Sequence, residues 1–250
     1  MADAAVLNRK DTRRTEAVDP VGPEVTTSDS EDNERTNRDG PRWLLLTSAK
    51  GGSGKTTTAY NLAVFAANEG LKVAIVDLDA QGALTTWYRL RPPEAPHILH
   101  FWSTMNRFQE VFDRLEAIHG LDLVVIDTPP AVEAYDSTIK RLIRRADLCL
   151  VPSNQGGVDP SIAANWLHFL KRERARAACI LNHAKTNSRS FKPTKLALAA
   201  AGSLCPFEVR SLEDIKETVT LGLGILEVTR AQGVEDYRGV WTYVRSELGI

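Results

Sequence analysis

The sequence predicts an α/β fold in three layers, a mostly parallel central sheet with helices on both faces. Two observations carry the prediction. Short apolar, strand-like runs alternate with longer amphipathic runs from Pro41 onward. The central strand-like runs are apolar at successive positions, as expected of strands covered on both faces. A third observation is positional. A Gly-rich loop and two acidic motifs directly follow strand-like runs, and ligands of such folds bind beyond the carboxyl ends of the strands.

Trp43–Thr47 reads as the first strand. A helix follows from about Thr56 to Asn68, with Ala59, Leu62, Ala63 and Ala66 on one face and Gly70 as its stop. Lys72–Asp77 is an apolar strand closing on an acid, and His97–Trp102 is a short strand. Asn106–His119 reads as a helix, because Phe108, Val111, Phe112, Leu115 and Ile118 fall on one stripe. Leu121–Ile126 is a buried strand ending at Asp127. Next come a helix over Val132–Arg145, a strand over Asp147–Val151, a helix over Pro160–Arg172 and a strand over Ala177–Leu181. A helix over Pro193–Ala201, a short strand over Phe207–Arg210 and two final helices complete the chain. The last helix, around Val240–Leu248, has a weak, mixed polar face, so it is expected to pack on the core rather than lie on a membrane surface.

Residues 1–40 stand apart, rich in Asp, Glu, Arg, Thr and Asn and nearly empty of large apolar side chains. They read as a disordered polar tail, with a short partner-induced helix near Ala4–Arg14 as the alternative. Residues 41–250 read as one domain. The chain of 250 residues is 43% hydrophobic and 25% charged, ordinary values for a globular protein. With a net charge of −1 the chain as a whole is not an obvious nucleic-acid binder, and any such contact must come from a local patch. No apolar run has transmembrane length and no signal-like stretch opens the chain, so a cytoplasmic protein with no membrane partner is expected. Cys149, Cys179 and Cys205 form no C-x-x-C pair, and the histidines show no metal-ligand spacing.

The chemistry begins at Lys50-Gly51-Gly52-Ser53-Gly54-Lys55-Thr56, between the first strand and the first helix. The phosphate-loop pattern G-x-x-x-x-G-K-[ST] has glycine where this chain has Ala49. The rest is complete. Gly51, Gly52 and Gly54 let the backbone aim N–H groups inward, Ser53 included, and the helix start adds its positive end. Lys55 reaches β- and γ-phosphates, Thr56 offers its hydroxyl to Mg²⁺, and Thr57 lies in the same phosphate-binding turn. The fold is therefore expected to be that of a P-loop NTPase using ATP and Mg²⁺.

An ordinary phosphate loop does not require Lys50. With it, the loop resembles the K-G-G-x-G-K-[ST] of the ParA/MinD family of deviant Walker A ATPases. The resemblance covers most of residues 43–250, and the last third is similar to short plasmid-type ParA partition ATPases. It implies that Lys50 reaches across an ATP-sandwich homodimer to the partner's phosphates. Asp77-Leu78-Asp79-Ala80-Gln81-Gly82 resembles the family's D-x-D-P-Q-G, with Ala80 in place of proline. By resemblance Asp79 orients the attacking water, and Asp77 supports either Mg²⁺ or the loop. Ile126-Asp127-Thr128-Pro129-Pro130 resembles the Walker B and switch region, which implies that Asp127 binds Mg²⁺ through water and that Thr128 senses the γ-phosphate. In Ile180-Leu181-Asn182-His183 the family places Asn182 against adenine, with Pro206 and Phe207 as the other wall.

The function the resemblance implies is DNA partition. ATP dimers would bind double-stranded DNA without sequence preference, hydrolyse ATP when a ParB-like adaptor stimulates them, and associate with the nucleoid. Candidate DNA contacts are Lys185, Arg189, Lys192, Lys195, Arg210 and Lys216, each alternatively an ordinary solvated charge. The tail is too short and polar for a helix-turn-helix domain, so operator binding is not expected. One alternative is a family member that positions a protein cargo, such as a carboxysome or chemosensory cluster, on the nucleoid. A biosynthetic P-loop enzyme is another. It fits less well, since an iron–sulfur reductase needs paired cysteines and a ligase has no use for Lys50.

Overall fold

The computed structural model describes residues 40–250; the expectations for the polar tail, including a helix near Ala4–Arg14, lie outside the described residues. Seven strands, β1 (Arg42–Leu46), β2 (Val73–Asp77), β3 (Leu99–Trp102), β4 (Leu123–Asp127), β5 (Leu148–Asn154), β6 (Ala177–Asn182) and β7 (Ser203–Leu204), form one sheet. Their order is β3-β2-β4-β1-β5-β6-β7 and every pair is parallel. The helices are α1 (Lys55–Asn68), α2 (Ala83–Arg89), α3 (Phe108–Glu116), α4 (Asp136–Arg145), α5 (Asp159–Arg172), α6 (Phe191–Ala201), α7 (Glu213–Leu221) and α8 (Val234–Leu248).

The apolar runs divide strictly by parity, since successive strand side chains point to opposite faces. Leu44, Leu46, Ile75, Val125, Leu150 and Ile180 pack under α1, α2 and α8. Trp43, Leu45, Val76, Ile126, Val151 and Leu181 pack under α3 to α6. The three-layer expectation holds, and the last helix is a core element through Tyr237, Val240, Trp241, Val244 and Leu248. The three cysteines are buried free thiols, each pushed up to about 12 by burial.

Three local expectations change. The expected strand Phe207–Arg210 is not one. The edge strand is Ser203–Leu204, and Arg210 makes only an isolated bridge to Ala184. Cys205 N donates to Cys179 O and Val209 N to Leu181 O, so the chain bulges between them at Pro206, which has no N–H to give. The expected helix Val132–Arg145 is broken into a 3₁₀ turn, Val132–Tyr135, and α4. Helix α2 was not expected at all. Its sequence, with two adjacent threonines, is a weak helix former. Tertiary contacts hold it. The Trp87 ring stacks on Tyr60 at 4.8 Å, and its Nε1 donates to Leu223 O at 3.1 Å.

Arg91, just beyond α2, makes a bidentate pair with Glu227 at 2.9 and 2.7 Å, both side chains largely buried, and Glu227 also accepts from Gly224 N. Arg91→Ala is expected to cost about 3 kcal/mol, because it leaves a buried carboxylate without its cation. Chemical denaturation measures this, and an unchanged midpoint would show that the pair is dispensable.

Candidate functional site

The order of the sheet puts β1 between β4 and β5, and the register sets Leu46 beside Asp127 and Asp77 beside Asp127. The loop after β1 and the two acids therefore share one strand-end rim. The loop turns through Gly52 (φ 72°) and Gly54 (φ 90°). Gly54 cannot be replaced for a second reason, since a Cβ there would sit 2.5 Å from Asn182 Nδ2. Gly54 caps α1 without any side-chain hydrogen bond, which leaves first-turn N–H groups for an anion. Pro130 lies over Gly51, 3.5 Å from where a Cβ would be, so the proline pair stiffens the wall facing the loop.

Lys55 is buried, its Nζ donating to Lys50 O at 3.2 Å. Burial lowers its pKa, against the pull of Asp127 and Asp79. Thr56 Oγ1 donates to Asp127 Oδ2 at 2.5 Å. Burial pushes the Asp127 carboxyl up to about 7, with the Thr56 hydrogen bond opposing. Asp127 Oδ1 is buried with no protein partner, as are Thr47 Oγ1, Ser53 Oγ, Asn154 Oδ1 and Asn182 Oδ1 around the same rim. Buried polar atoms are rarely left unpaired, so this collar is shaped for a polar ligand. An orphaned carboxylate oxygen beside a threonine hydroxyl is a hard-oxygen donor set and fits Mg²⁺. Among the described residues no group of three or more His, Cys, Asp or Glu could hold a metal unaided. A Mg²⁺ held there would need phosphate oxygens and water for its remaining ligands, the usual arrangement for this ion.

Asp77 is tied to its own turn and to α2. Its Oδ2 accepts Thr85 N at 2.8 Å and Thr85 Oγ1 at 2.7 Å, and its Oδ1 accepts Asp79 N at 3.0 Å. Of the two roles left open for it, the geometry favours the second. Asp79 is half-buried, with Oδ1 accepting Gln81 N at 3.0 Å. The Thr128 hydroxyl donates to Leu46 O at 2.9 Å, joining β4 to β1 rather than facing the loop.

Asn182 Nδ2 donates to Ser53 O at 3.0 Å and to Thr58 Oγ1 at 3.3 Å, so it braces the loop from β6. A cleft beside it is lined by Gly54, Thr57, Val209, Arg210, Leu212 and Tyr237. Pro206 and Phe207 are exposed and do not line this cleft. Phe207 packs against Gly239 of α8 instead. The wall facing Asn182 is the 209–212 segment.

Lys50 Nζ is ion-paired and hydrogen-bonded to Asp159, the first residue of α5. Asn154 Nδ2 bridges Asp159 Oδ2 at 2.8 Å and Gly52 O at 3.1 Å. Neither Asp159 nor Asn154 was a candidate from sequence. For Asp159 a signal was present, since Asp159-Pro160 is a helix-start signature; Asn154 lay beyond the strand Asp147–Val151 read from sequence.

The six candidate cations separate into two groups. Lys195 pairs with Glu208, Arg210 with Asp236 and Lys216 with Glu213, and the last two line the cleft beside Asn182. Lys185, Arg189 and Lys192 are exposed and have no ion-pair partner among the described residues.

Comparison with known proteins supplies the family and the fold. Residues 44–225 match the family described as CobQ/CobB/MinD/ParA nucleotide binding domain. The chain is 33% identical over 129 residues to the maintenance of carboxysome distribution protein A of Gloeobacter kilaueensis, covering 51% of this chain and 56% of that protein. It is 29% identical over 132 residues to the protein ParA of Rhizobium radiobacter, covering 52% and 56%. The chain thus spans about half the length of these curated relatives. The ATP complex of a variant of Cyanothece McdA has the same fold, with TM-score 0.64 at 19% identity over 85% of this chain and 98% of that one.

Proposed function

The chain belongs to the CobQ/CobB/MinD/ParA nucleotide-binding domain family, and from that premise we propose that it is an ATP-hydrolysing DNA partition switch. ATP closes two copies into a dimer, the dimer binds duplex DNA without sequence preference, and a ParB-like adaptor stimulates hydrolysis that releases it. The observation that carries the reading is Lys50, a half-exposed cation at the mouth of a loop that already has its own lysine. Once free of Asp159, it can reach phosphates bound in a second copy.

The rim residues divide the chemistry among them. First-turn N–H groups and Lys55 hold the phosphates. Thr56 directly and Asp127 through water would hold Mg²⁺, which when bound neutralises phosphate charge. Asp79 orients the water that attacks the γ-phosphorus as the bond to the ADP oxygen breaks, giving ADP and phosphate. Asn182 and the 209–212 segment receive the base. Among the described residues no helix is long and apolar enough to cross a membrane. The proposed location is the nucleoid, reached in the ATP state.

The DNA surface proposed is Lys185, Arg189 and Lys192, the cations left unpaired. Each phosphate contact contributes about 0.9 to the salt slope. Lys192→Ala removes one contact per copy, so a dimer's slope of log affinity against log salt is expected to flatten by about 2, equally for unrelated duplexes. Gel shifts across a salt series, with ATP and with ADP, measure it. An ATP dimer that ignores duplex DNA at low salt overturns the reading. A second reading, positioning of a protein cargo on the nucleoid, is favoured by the likeness to the carboxysome distribution protein. Loss of plasmid inheritance on gene deletion supports the first reading, and clustering of an otherwise evenly spaced protein assembly supports the second.

A further inference from the structure

Gln155 lies one peptide beyond Asn154, at the carboxyl end of β5, and is only 7% exposed. Both ends of its amide are occupied. Oε1 accepts Lys185 N at 2.6 Å, and Nε2 donates to Ser188 Oγ at 2.5 Å and to Ser190 Oγ at 2.8 Å. Its backbone carbonyl accepts Thr194 Oγ1 from the first turn of α6 at 3.2 Å. The segment carrying Lys185, Arg189 and Lys192 is thus gathered around one side chain. On the other side, Asn154 Nδ2 holds Gly52 O and Asp159, and Asp159 holds Lys50. Hydrogen bonds on either side of the covalent Asn154–Gln155 link thus tie the phosphate loop to the segment that carries the unpaired cations, and Gln155 is the last joint.

We infer that Gln155 is a positioning residue that couples occupancy of the phosphate loop to the geometry of the cationic segment 185–192. The inference rests on the reading of that segment as the DNA surface. Phosphate charge competes with Asp159 for Lys50 and, as an acceptor, with Gly52 O for the Asn154 amide N–H. Asn154 is the last residue of β5 paired with β6, opposite Asn182. A change in its side-chain partners therefore falls on the peptide just beyond the strand ladder, which carries Gln155. The segment has two arrangements available, gathered on the Gln155 amide or released from it, and the nucleotide biases the choice. Coupling needs such a two-state element rather than mere proximity.

The test compares wild type, Gln155→Ala and Gln155→Glu by hydrogen exchange of amides 184–194, with and without a non-hydrolysable ATP analogue, and by gel shift. In wild type the analogue is expected to change exchange of the segment. In Gln155→Ala the segment exchanges faster and equally in both states, analogue affinity stays within about twofold, and duplex affinity in the ATP state falls at least tenfold. Glutamate can accept from Lys185 N and both serine hydroxyls, so Gln155→Glu restores the nucleotide response. Ser188→Ala with Ser190→Ala reproduces the alanine result should Gln155→Ala fail to fold. A wild-type segment that ignores the analogue, or a Gln155→Ala segment that still responds, overturns the coupling. A wild-type segment that responds in a protein that binds no duplex supports the coupling and overturns the partition reading instead.

Discussion

Replacing Lys55 by methionine is expected to lower nucleotide affinity by two to three orders of magnitude and to raise the stability of the nucleotide-free protein. The two effects have one cause. Lys55 is buried, its Nζ contacts only a backbone carbonyl, Lys50 O, and no carboxylate lies within ion-pair distance among the described residues. Desolvation depresses its pKa below 10.5 more than the fields of Asp127 and Asp79 restore it. The folded state thus binds that proton more weakly than the unfolded state does. The strain is present at neutral pH and is relieved as pH rises toward the unfolded value of 10.5, so stability from this site increases with pH. Methionine keeps the stem and removes the charge. When phosphates arrive, the same unpaired cation meets the charge it lacks, and a loss of two to three orders corresponds to about 3–4 kcal/mol. Titration calorimetry and thermal unfolding with and without ATP measure both effects. A variant that binds ATP within threefold of wild type removes Lys55 from the site.

What could be read from the sequence follows from how local each signal is. That the phosphate loop, Asp79 and Asp127 share one strand-end rim could be read because each occupies a few consecutive residues after a strand. The alternation of Leu44 and Leu46 with Trp43 and Leu45 likewise marked a strand covered on both faces. What could not be read is pairing across distance. Asp159 holds Lys50 from 109 residues away and Asn182 braces Ser53 from 129. A basic side chain counted as free in sequence can find an acid in space, as Arg210 does in Asp236. That pairing, rather than charge composition, separates Lys185, Arg189 and Lys192 from the other candidates. Pro206 shows a local signal outweighed by another: apolar residues from Phe207 suggested a strand, but the missing N–H broke the ladder first. Helix α2 depends on Trp87 meeting Tyr60, which no window around α2 contains.

Asp79→Ala is expected to leave ATP binding intact, slow turnover 100- to 1000-fold and trap an ATP-bound dimer. The carboxylate is held by its own turn: Oδ1 accepts Gln81 N, the Asp79 N–H donates to Asp77, and Asp79 O accepts Gly82 N. The side chain is half-buried and fills no core space, so its removal opens no cavity. Lys55, Thr56 and Asp127, the groups assigned to phosphate and Mg²⁺, keep their partners. Removing a negative charge near the phosphates can only help ATP to stay bound. What is lost is the acceptor that orients the attacking water, and a preorganised polar group of this kind is worth about 3–4 kcal/mol in the transition state. The alternative is that Asp79 merely shapes the turn toward α2. Asp79→Asn separates the two, because its amide oxygen still accepts from Gln81 N while the carboxylate charge is gone. A catalytic carboxylate predicts that asparagine is nearly as slow as alanine and that both variants elute as dimers with ATP. Recovery of phosphate release to within threefold of wild type in Asp79→Asn would assign Asp79 to the turn and leave the water-orienting group to be sought elsewhere on the rim.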